Sequence, residues 1–424
     1  MQVHRSGNQI HWAAKRGDLQ AVQRELGRCK VDARDFDGET PLMCAVLDKR
    51  SGLSIVKALV EAGADVNAVA GMIQSTPLQL AAQSGRPEIV KFLLEAGANA
   101  KFVGPAGYTA ITNLPCRKMD GHLDCLKLLL DAGADPDVRS PWDECAVRTA
   151  LHWGNFEALA LLLDHGASRA PAEMEPLAWA VALGTLEGVE AELDAGGDLS
   201  ARDSWELTPW LLSLMTGDVA KAELLLKRGA VFEERGKCGQ TGLAYAASAG
   251  QSEMVRWLLG QGAQVDATDE FGGTALKSAA EHGDAECTRV LLNAGASMKA
   301  KLWQSEFDQP LITEAKNIAT VEVFREFGAD INAVSGEGYW LLKEAAETGD
   351  VEFARQLLEA GASVDHTSIG DTALHAAAGS DELEVVSLLL EHGADPKAED
   401  LDHDTPLDLA QTDECRHLLW AAGG

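Results

Sequence analysis

The stretch that decides the fold runs from Thr76 to Ala98 and reads TPLQLAAQSGRPEIVKFLLEAGA. Thr76 is suited to be an N-cap, because its hydroxyl can accept a hydrogen bond from the free amides of a first helical turn. Pro77 suits the first helical position, where its missing N–H group costs nothing. Gly85 is placed to end this helix in a left-handed conformation. The stretch therefore predicts a short helix between Thr76 and Gly85.

The second half of the same stretch predicts a second short helix, which Gly97 ends. Ile89, Val90, Leu93 and Leu94 recur at helical spacing and form one apolar stripe. Two helices of roughly eight to ten residues cannot bury such a stripe by themselves. The helix pair therefore needs neighbours, and the chain provides them by repeating the pattern.

The glycine that ends the second helix recurs along the whole chain. The series is Gly63, Gly97, Gly133, Gly166, Gly196, Gly229, Gly262, Gly295, Gly328, Gly361 and Gly393. Alanine follows ten of these eleven glycines, and the intervals between them are 30 to 36 residues, most of them 33. A constant period of this length is typical of a solenoid built from stacked helix pairs.

On these motifs the chain resembles the ankyrin-repeat family. The family pattern is a β-hairpin loop, a Thr-Pro-Leu-His segment that opens the first helix, a glycine, and a second helix that ends in Gly-Ala. The matching segments are Thr40-Pro41-Leu42, Thr76-Pro77-Leu78, Thr208-Pro209, Thr372-Ala373-Leu374-His375 and Thr405-Pro406-Leu407. The resemblance implies an all-α ankyrin-repeat solenoid of helix–turn–helix units joined by short β-hairpin loops. It also implies a structural role for His375, bonded to the turn of its own repeat.

The resemblance covers essentially the whole chain, and we predict one continuous solenoid over residues 1–424, with about 13 repeats. Residues 1–34 lack a Thr-Pro opening and residues 399–424 stop before a Gly-Ala, so both are predicted to be capping repeats. Residues 35–398 hold the internal repeats. Departures from the regular spacing predict irregularities near 115–119 (an inserted loop), 167–175 (a shortened hairpin) and 299–318 (a longer hairpin before a shorter helix).

The composition is that of a globular protein, with 46% hydrophobic and 24% charged residues, and its net charge of −30 is unevenly divided. Residues 1–140 carry +1, residues 141–300 carry −12 and residues 301–424 carry −19. Nucleic acid is a poor partner for the C-terminal half, because phosphate binding needs a positive footprint. The acidity favours a basic partner, and the alternative is that it only keeps a large surface soluble.

Cysteine usage and hydropathy indicate the cellular compartment in which the protein works. No signal-peptide-like apolar run opens the chain, and no stretch of about 18 apolar residues occurs, so we expect no membrane span. The eight cysteines include no Cys-x-x-Cys pair, which argues against a zinc site and predicts reduced thiols. The expected location is the cytoplasm, with the nucleus left open as a second reducing compartment.

The regular spacing of the repeats argues against a catalytic site. An enzyme needs a pocket with a convergent acid, base or nucleophile, and the intervals between the anchor glycines leave no room for an inserted catalytic domain. No P-loop, Gly-x-Ser-x-Gly, His-Glu-x-x-His or dinucleotide-binding motif occurs. We predict that the protein is not an enzyme and that it uses neither a cofactor nor a metal.

In the ankyrin-repeat family the hairpin loops, called fingers below, and the adjacent face of each first helix form a concave binding surface. The resemblance implies the same surface here, with exposed side chains one and three residues before, and seven and eight residues after, each first-helix threonine. Large apolar side chains exposed in a row usually mark a partner site. The predicted partner-binding residues are Tyr108, Trp142, His152, Trp153, Trp205, Met215, Phe271, His282 and Tyr339.

Trp142, Trp153 and Trp205 stand on either side of the shortened hairpin, and two interpretations stay open. Either they bind a partner, or neighbouring fingers pack on one another and fill the place of the missing finger. Acidic residues flank the three tryptophans. An aromatic patch with an acidic rim favours a basic, partly apolar peptide, since Lys and Arg bond carboxylates and lie over rings. Three other tryptophans, Trp179, Trp210 and Trp257, are expected in the core.

The predicted function is a monomeric, non-catalytic scaffold or adaptor that binds a partner protein or an extended, basic peptide on its concave face, with no nucleic acid and no membrane as partner. A rigid stack holds side chains from several repeats in fixed register, so little ordering entropy is lost on binding. The main alternative is a substrate-recruiting subunit or effector that acts only with a separate enzyme. A small-molecule groove and a mechanical spacer are further alternatives.

Overall fold

The computed structural model describes residues 3–35, 38–47, 52–70, 74–112, 114, 121–300, 309–368 and 370–423. These residues form short helices in pairs, which confirms the predicted all-α repeat architecture. They belong to two compact units, Met1–Glu206 and Leu207–Gly424, called here the N-terminal and the C-terminal unit. None of the helices in these ranges is both long enough and apolar enough to cross a bilayer.

In the first repeats of the N-terminal unit, first helices pack on first helices and second helices on second helices of adjacent repeats. The helices are α1 (Val3–Lys15), α2 (Leu19–Leu26), α3 (Pro41–Leu47), α4 (Leu53–Glu61), α5 (Pro77–Gln83), α6 (Pro87–Glu95), α7 (His122–Asp131), α8 (Ala146–His152), α9 (Phe156–Asp164), α10 (Pro176–Leu183) and α11 (Leu186–Asp194). Thus α1 packs on α3 and α3 on α5, while α2 packs on α4 and α4 on α6.

The C-terminal unit follows the same packing. Its helices are α12 (Pro209–Thr216), α13 (Val219–Lys227), α14 (Gly242–Ser248), α15 (Ser252–Gly260), α16 (Ala275–Glu281), α17 (Ala285–Asn293), α18 (Ile318–Glu326), α19 (Leu341–Thr348), α20 (Val351–Glu359), α21 (Ala373–Gly379), α22 (Leu383–Glu391), α23 (Pro406–Leu409) and α24 (Asp413–Ala421). First helices α12, α14 and α16 form one packed row, and second helices α18, α20, α22 and α24 form another.

The repeat at Thr76–Ala98 shows why these sequences form these elements. Thr76 Oγ1 accepts from the amide of Gln79 at 3.3 Å, and Gln79 Oε1 accepts from the amide of Thr76 at 2.9 Å, so a capping box opens α5. Gly85, with φ 64°, ends the helix in the left-handed region. Leu93 in α6 is fully buried and Leu94 is half-buried, so the predicted apolar stripe is the face that packs on neighbouring repeats.

His375 has the structural role that the resemblance implies. Its Nδ1 accepts from the amide of Thr372 at 3.2 Å and lies 2.8 Å from Thr372 Oγ1, which completes a second capping box. Its Nε2 lies 3.2 Å from the carbonyl oxygen of Asp404 in the next repeat, to which it donates in the tautomer that this arrangement requires. The prediction for His375 is therefore confirmed.

The structure describes residues at two of the three predicted irregularities. The predicted inserted loop at 115–119 lies outside the described residues. At 167–175 a 3₁₀ helix, Ala170–Ala172, stands where other repeats have a finger, and α10 follows directly. At 299–318 strand β1 (Lys299–Ala300) pairs antiparallel with β2 (Gln309–Pro310), in register Lys299 to Pro310, and a 3₁₀ helix, Leu311–Glu314, replaces the first helix of that repeat.

The tryptophans expected in the core differ in burial. Trp210 is fully buried, as predicted, and its ring centroid lies 6.3 Å from that of Trp257. Trp257 and Trp179 are half-buried. The Trp179 ring packs under the guanidinium carbon of Arg169 at 4.9 Å, a cation–π contact that covers its outer face.

Candidate interaction surface

The fingers are built around a polar residue at their base. The side-chain oxygen of this residue accepts from the backbone amide two residues further on, a local bond that favours a tight turn over extended structure. The observed pairs are Ser140 Oγ with Trp142 at 3.3 Å, Asp203 Oδ1 with Trp205 at 2.8 Å and Asp269 Oδ1 with Phe271 at 2.8 Å. The backbone of the aromatic residue at each tip is therefore held by its own turn.

Tyr108 and Trp142, from adjacent fingers, stack on each other. Their ring centroids are 6.3 Å apart and their planes differ by 27°. Tyr108 Oη donates to Glu144 Oε2 at 2.7 Å, and this hydrogen bond, together with partial burial, raises the pKa of Tyr108. Trp142 remains 68% exposed. One face of an indole is thus presented to solvent on a fixed support.

Asp143, next to Trp142, is bonded by two arginines. Arg139 Nη1 donates to its Oδ1 at 2.7 Å, and Arg148 Nη1 donates to its Oδ2 at 2.5 Å and to its carbonyl oxygen at 3.0 Å. The hydrogen bond from Arg139 lowers the pKa of Asp143, and the charges of both arginines add to this effect. The carboxylate that was expected to form part of an acidic rim is therefore already engaged within the protein.

His152, at the end of α8, lies between two tryptophans. Its ring centroid is 4.1 Å from that of Trp205 and 5.1 Å from that of Trp153, with interplanar angles of 30° and 78°. The guanidinium carbon of Arg148 lies 5.6 Å from the Trp205 ring. Arg148 and His152 are four residues apart on one helix face, so together they cover one indole. Trp153 remains 41% exposed.

Trp205 fits the packing interpretation. It is half-buried, and its finger belongs to the repeat after the one that has lost its finger. The amide of Ser204 lies 3.5 Å from the carbonyl oxygen of Ala172, so the finger leans on the short 3₁₀ helix. Trp205 thereby reaches the exposed face of α8 and fills the place of the missing finger.

We call Tyr108, Trp142, His152 and Trp153 together the aromatic surface. In the N-terminal unit the structure pairs Tyr108 with Trp142, and it groups His152 with Trp153 and Trp205. Arg148 links the two groups, because it bonds Asp143 next to Trp142 and lies over the Trp205 ring. Phe271, His282 and Tyr339 are exposed in the C-terminal unit, at 48% for Phe271 and 46% for Tyr339.

The prediction that Met215 is exposed is wrong. Met215 is only 1% exposed, because every residue of α12 from Pro209 to Met215 is buried. The side chain of Gln251, from the next repeat, crosses the end of this helix and donates from Nε2 to the Met215 carbonyl oxygen at 3.1 Å. The spacing also assigns to the concave face Asp37 and Ile73, three residues before Thr40 and Thr76, and both lie outside the described residues.

Sequence reasoning missed two cations that organise aromatic side chains. Arg148 is one, and Lys343 in the C-terminal unit is the other. Lys343 Nζ donates to Asp371 Oδ2 at 3.0 Å and lies 5.5 Å and 5.4 Å from the ring centroids of Tyr339 and Trp340. Both residues occupy the third position of a first helix, the position held by His375, and that correspondence was visible in the sequence.

One group of potential metal ligands occurs in the part of the chain that the structure describes. Ligand atoms of Asp35, Glu39 and Cys44 all lie within 4.8 Å of one another. Burial of Cys44, and next to it the charges of Glu39 and Asp35, raise the pKa of the thiol. The thiol keeps its proton under these conditions, and a metal would require the thiolate. We assign no metal site to this group.

Comparison with known proteins agrees with the repeat pattern. A sequence profile described as Ankyrin repeats (3 copies) matches residues 10–103, 116–203, 210–301 and 311–400. The chain is similar to palmitoyltransferase AKR1 of Kluyveromyces lactis, with 31% identity over 37% of this chain and 20% of that protein. It is also similar to human inversin, with 34% identity over 41% of this chain and 16% of that protein.

The matched region thus spans a fifth or less of the length of these two relatives. Among solved structures, the human ASB11 ankyrin repeat domain aligns with 59% of this chain and 99% of that chain. The sequence identity over this alignment is 26% and the TM-score is 0.35.

Proposed function

Because this chain belongs to the ankyrin-repeat family, whose repeats generally mediate protein–protein interaction, we propose that it is a non-catalytic scaffold or adaptor. It binds a partner protein, or an extended segment of one, through fingers and first helices. The observation that carries this proposal is the aromatic surface of the N-terminal unit, where Trp142 is 68% exposed and Trp153 is 41% exposed. Tryptophans of this kind dominate the energetics of many protein interfaces.

The aromatic surface is preorganised for binding. Trp142 is held by the turn of Ser140 and by its stack with Tyr108, while Trp153 is held against His152. Immobilising a side chain on binding normally costs about 0.5–1.5 kcal/mol. Side chains that are already fixed avoid most of this cost, which supports a role in recognition rather than in packing alone.

We also propose that the partner is basic, and the negative net charge of the C-terminal unit supports this. The C-terminal unit carries 16 Lys and Arg residues against 37 Asp and Glu residues, a balance of −21. Such a field attracts a basic protein over a distance, and salt screens it. At the aromatic surface itself Asp143 and Glu144 are engaged internally, so the basic residues act through steering rather than through contacts there. We further propose a cytoplasmic monomer that binds neither nucleic acid nor membrane.

The test is affinity capture from a reducing cell extract on the immobilised full chain, read by mass spectrometry. We expect at least one protein that the wild type retains and that Trp142→Ala loses. The matched control is Trp420→Ala, the same substitution at a 70% exposed tryptophan in α24, which should retain that protein. Equal capture by the two variants would overturn the role of the aromatic surface. Higher salt should slow the association with the captured protein.

A further inference from the structure

In three places of this chain, the third residue of a first helix is a long polar side chain that holds the finger of the next repeat. Each of these side chains donates to the residue that directly precedes the threonine after that finger. The pairs are Gln79 Nε2 with the carbonyl oxygen of Tyr108 at 3.2 Å, Lys343 Nζ with Asp371 Oδ2 at 3.0 Å and His375 Nε2 with the carbonyl oxygen of Asp404 at 3.2 Å.

Arg148 occupies the same position in α8 but has no such finger to hold. The next repeat has the 3₁₀ helix Ala170–Ala172 instead, and Met174 directly precedes the residue that caps α10. Arg148 instead donates through Nη1 to Asp143, in the finger of its own repeat. Its Nε is buried without a hydrogen-bond partner among the residues that the structure describes.

The finger of Trp205 forms the cover over this donor. The Trp205 indole lies over the Arg148 guanidinium, and Ser204 reaches the short 3₁₀ helix only by an amide-to-carbonyl distance of 3.5 Å at Ala172. Ser204 Oγ is also buried without a hydrogen-bond partner within the described ranges. Native proteins satisfy nearly all buried polar atoms, so the buried Nε–H group of Arg148 offers a donor that an added carbonyl oxygen would satisfy.

We propose that a partner inserts an extended segment into the place of the missing finger, displaces the Trp205 indole and offers a backbone carbonyl oxygen to Nε–H of Arg148. The acceptor is a neutral carbonyl because the guanidinium of Arg148 already pairs with the carboxylate of Asp143 through Nη1. A backbone carbonyl is also what Gln79 and His375 receive from the next finger. This inference rests on the proposed function and specifies where and how the partner binds.

The flanking side chains suit such a segment. Trp142 stands in the finger before α8, and Trp153 directly follows the helix, with His152 beside it. The seven residues of α8 span about 10 Å, a length that about three residues of an extended segment cover. The inserted segment therefore places apolar side chains against the tryptophans at both ends while its backbone passes Arg148.

The experiment selects phage-displayed dodecapeptides on the immobilised full chain and measures the affinity of the selected peptides for purified variants. Arg148→Lys keeps the positive charge and removes Nε–H, and it should weaken binding about tenfold or more, as expected for a charge-assisted hydrogen bond. The matched control, Arg139→Lys, changes the other arginine bonded to Asp143 and should alter binding less than about twofold. Trp205→Ala should tighten binding, because the segment no longer has to displace an indole.

A loop-replacement variant tests the site without a change at Arg148. Residues 168–174 are replaced by residues 264–273 of the same chain, so that ten residues stand in place of seven and a full finger is restored. The restored finger should occupy the site and abolish peptide binding, while circular dichroism shows that the helices are retained.

Three results would overturn the inference. They are the selection of no peptide, equal binding by wild type and Arg148→Lys, or weaker binding by Trp205→Ala. A further result would separate the two proposals. If Trp142→Ala abolishes peptide binding while Arg148→Lys and the restored finger leave it unchanged, the proposed function stands and this inference is refuted.

Discussion

Arg148 donates to both the carboxylate and the backbone carbonyl of Asp143, five residues before it. The same carboxylate accepts from Arg139, so one aspartate fixes the finger that carries Trp142 to the helix that carries His152. This relationship makes the geometry of the aromatic surface depend on the charge of a single residue.

The stability of this finger should therefore depend on pH. The pKa of Asp143 is lowered in the folded protein, chiefly by the hydrogen bond with Arg139. A lowered pKa means that the stabilising contribution is complete above the ordinary value of 3.8 and is lost as the pH falls through the folded value. We expect wild type to unfold at higher urea than Asp143→Asn at pH 6, and the difference to vanish towards pH 2.

The control for Asp143 is Glu157→Gln, at an exposed position of α9. It removes one exposed carboxylate outside the finger, so an equal effect of this variant at pH 6 would show that the loss is not specific to Asp143. A difference between wild type and Asp143→Asn that stays constant down to pH 2 would show that the two arginines do not stabilise the charged form.

The contribution of His165 to stability should depend on pH in the opposite direction. A hydrogen bond to the carbonyl oxygen of Leu161, and next to it the bond to Asp131, raise the pKa of His165. A raised pKa means that the stabilisation is complete below the ordinary value of 6.5 and is lost as the pH rises through the folded value. NMR titration should show His165 titrating above 6.5, and Asp131→Asn should lower its pKa. A titration below 6.5 in wild type would contradict this assignment.

Thiol reactivity should follow burial. Cys238 is exposed at the tip of a finger, whereas Cys125 and Cys415 are buried, and burial raises their pKa to about 12 and about 11. Because the thiolate is the reactive form, we expect iodoacetamide at pH 7.5 to modify Cys238 more than about tenfold faster than either. Peptide mapping by mass spectrometry measures each site. Equal rates in the native protein would refute the prediction, and equal rates are expected only in denaturant.

Two adjacent leucines in α6 should differ in their contribution to stability. Leu93 is fully buried and Leu94 is half-buried. Leu93→Ala leaves a cavity in the stack and should lower the free energy of unfolding by about 2–5 kcal/mol. Leu94→Ala is the matched control and should cost clearly less. Urea unfolding followed by circular dichroism measures both, and equal losses would mean that the apolar stripe is not the buried face.

The sequence predicts the repeats because their signals are local. Thr76, Pro77 and Gly85 act within one helix, and the same signals recur with a fixed period, so each repeat can be recognised without its neighbours. The tips of the fingers were also predictable, since the polar residue at the base of a finger fixes the residue two positions later.

Burial across repeats was less predictable. Met215 has the spacing of an exposed position, but it is buried with the rest of α12, and Gln251 of the next repeat donates to its carbonyl oxygen. Trp205 stands at the tip of a finger, yet it packs over α8 because the intervening finger is absent. In both cases the outcome depends on which side chain an adjacent repeat supplies, and a period measured along the chain does not contain that information.

The contact between His152 and Trp205 joins α8 to the finger after α11, and so passes over the repeat formed by α10 and α11. In a stack that interacts only between nearest neighbours, each repeat can open with the cost of its two interfaces. Here one repeat lies between two residues that contact each other, so we expect α10 to open together with the finger of Trp205. Amide hydrogen exchange should then report one shared opening free energy for α8 and α10, so that the loss of a finger makes this part of the N-terminal unit more cooperative.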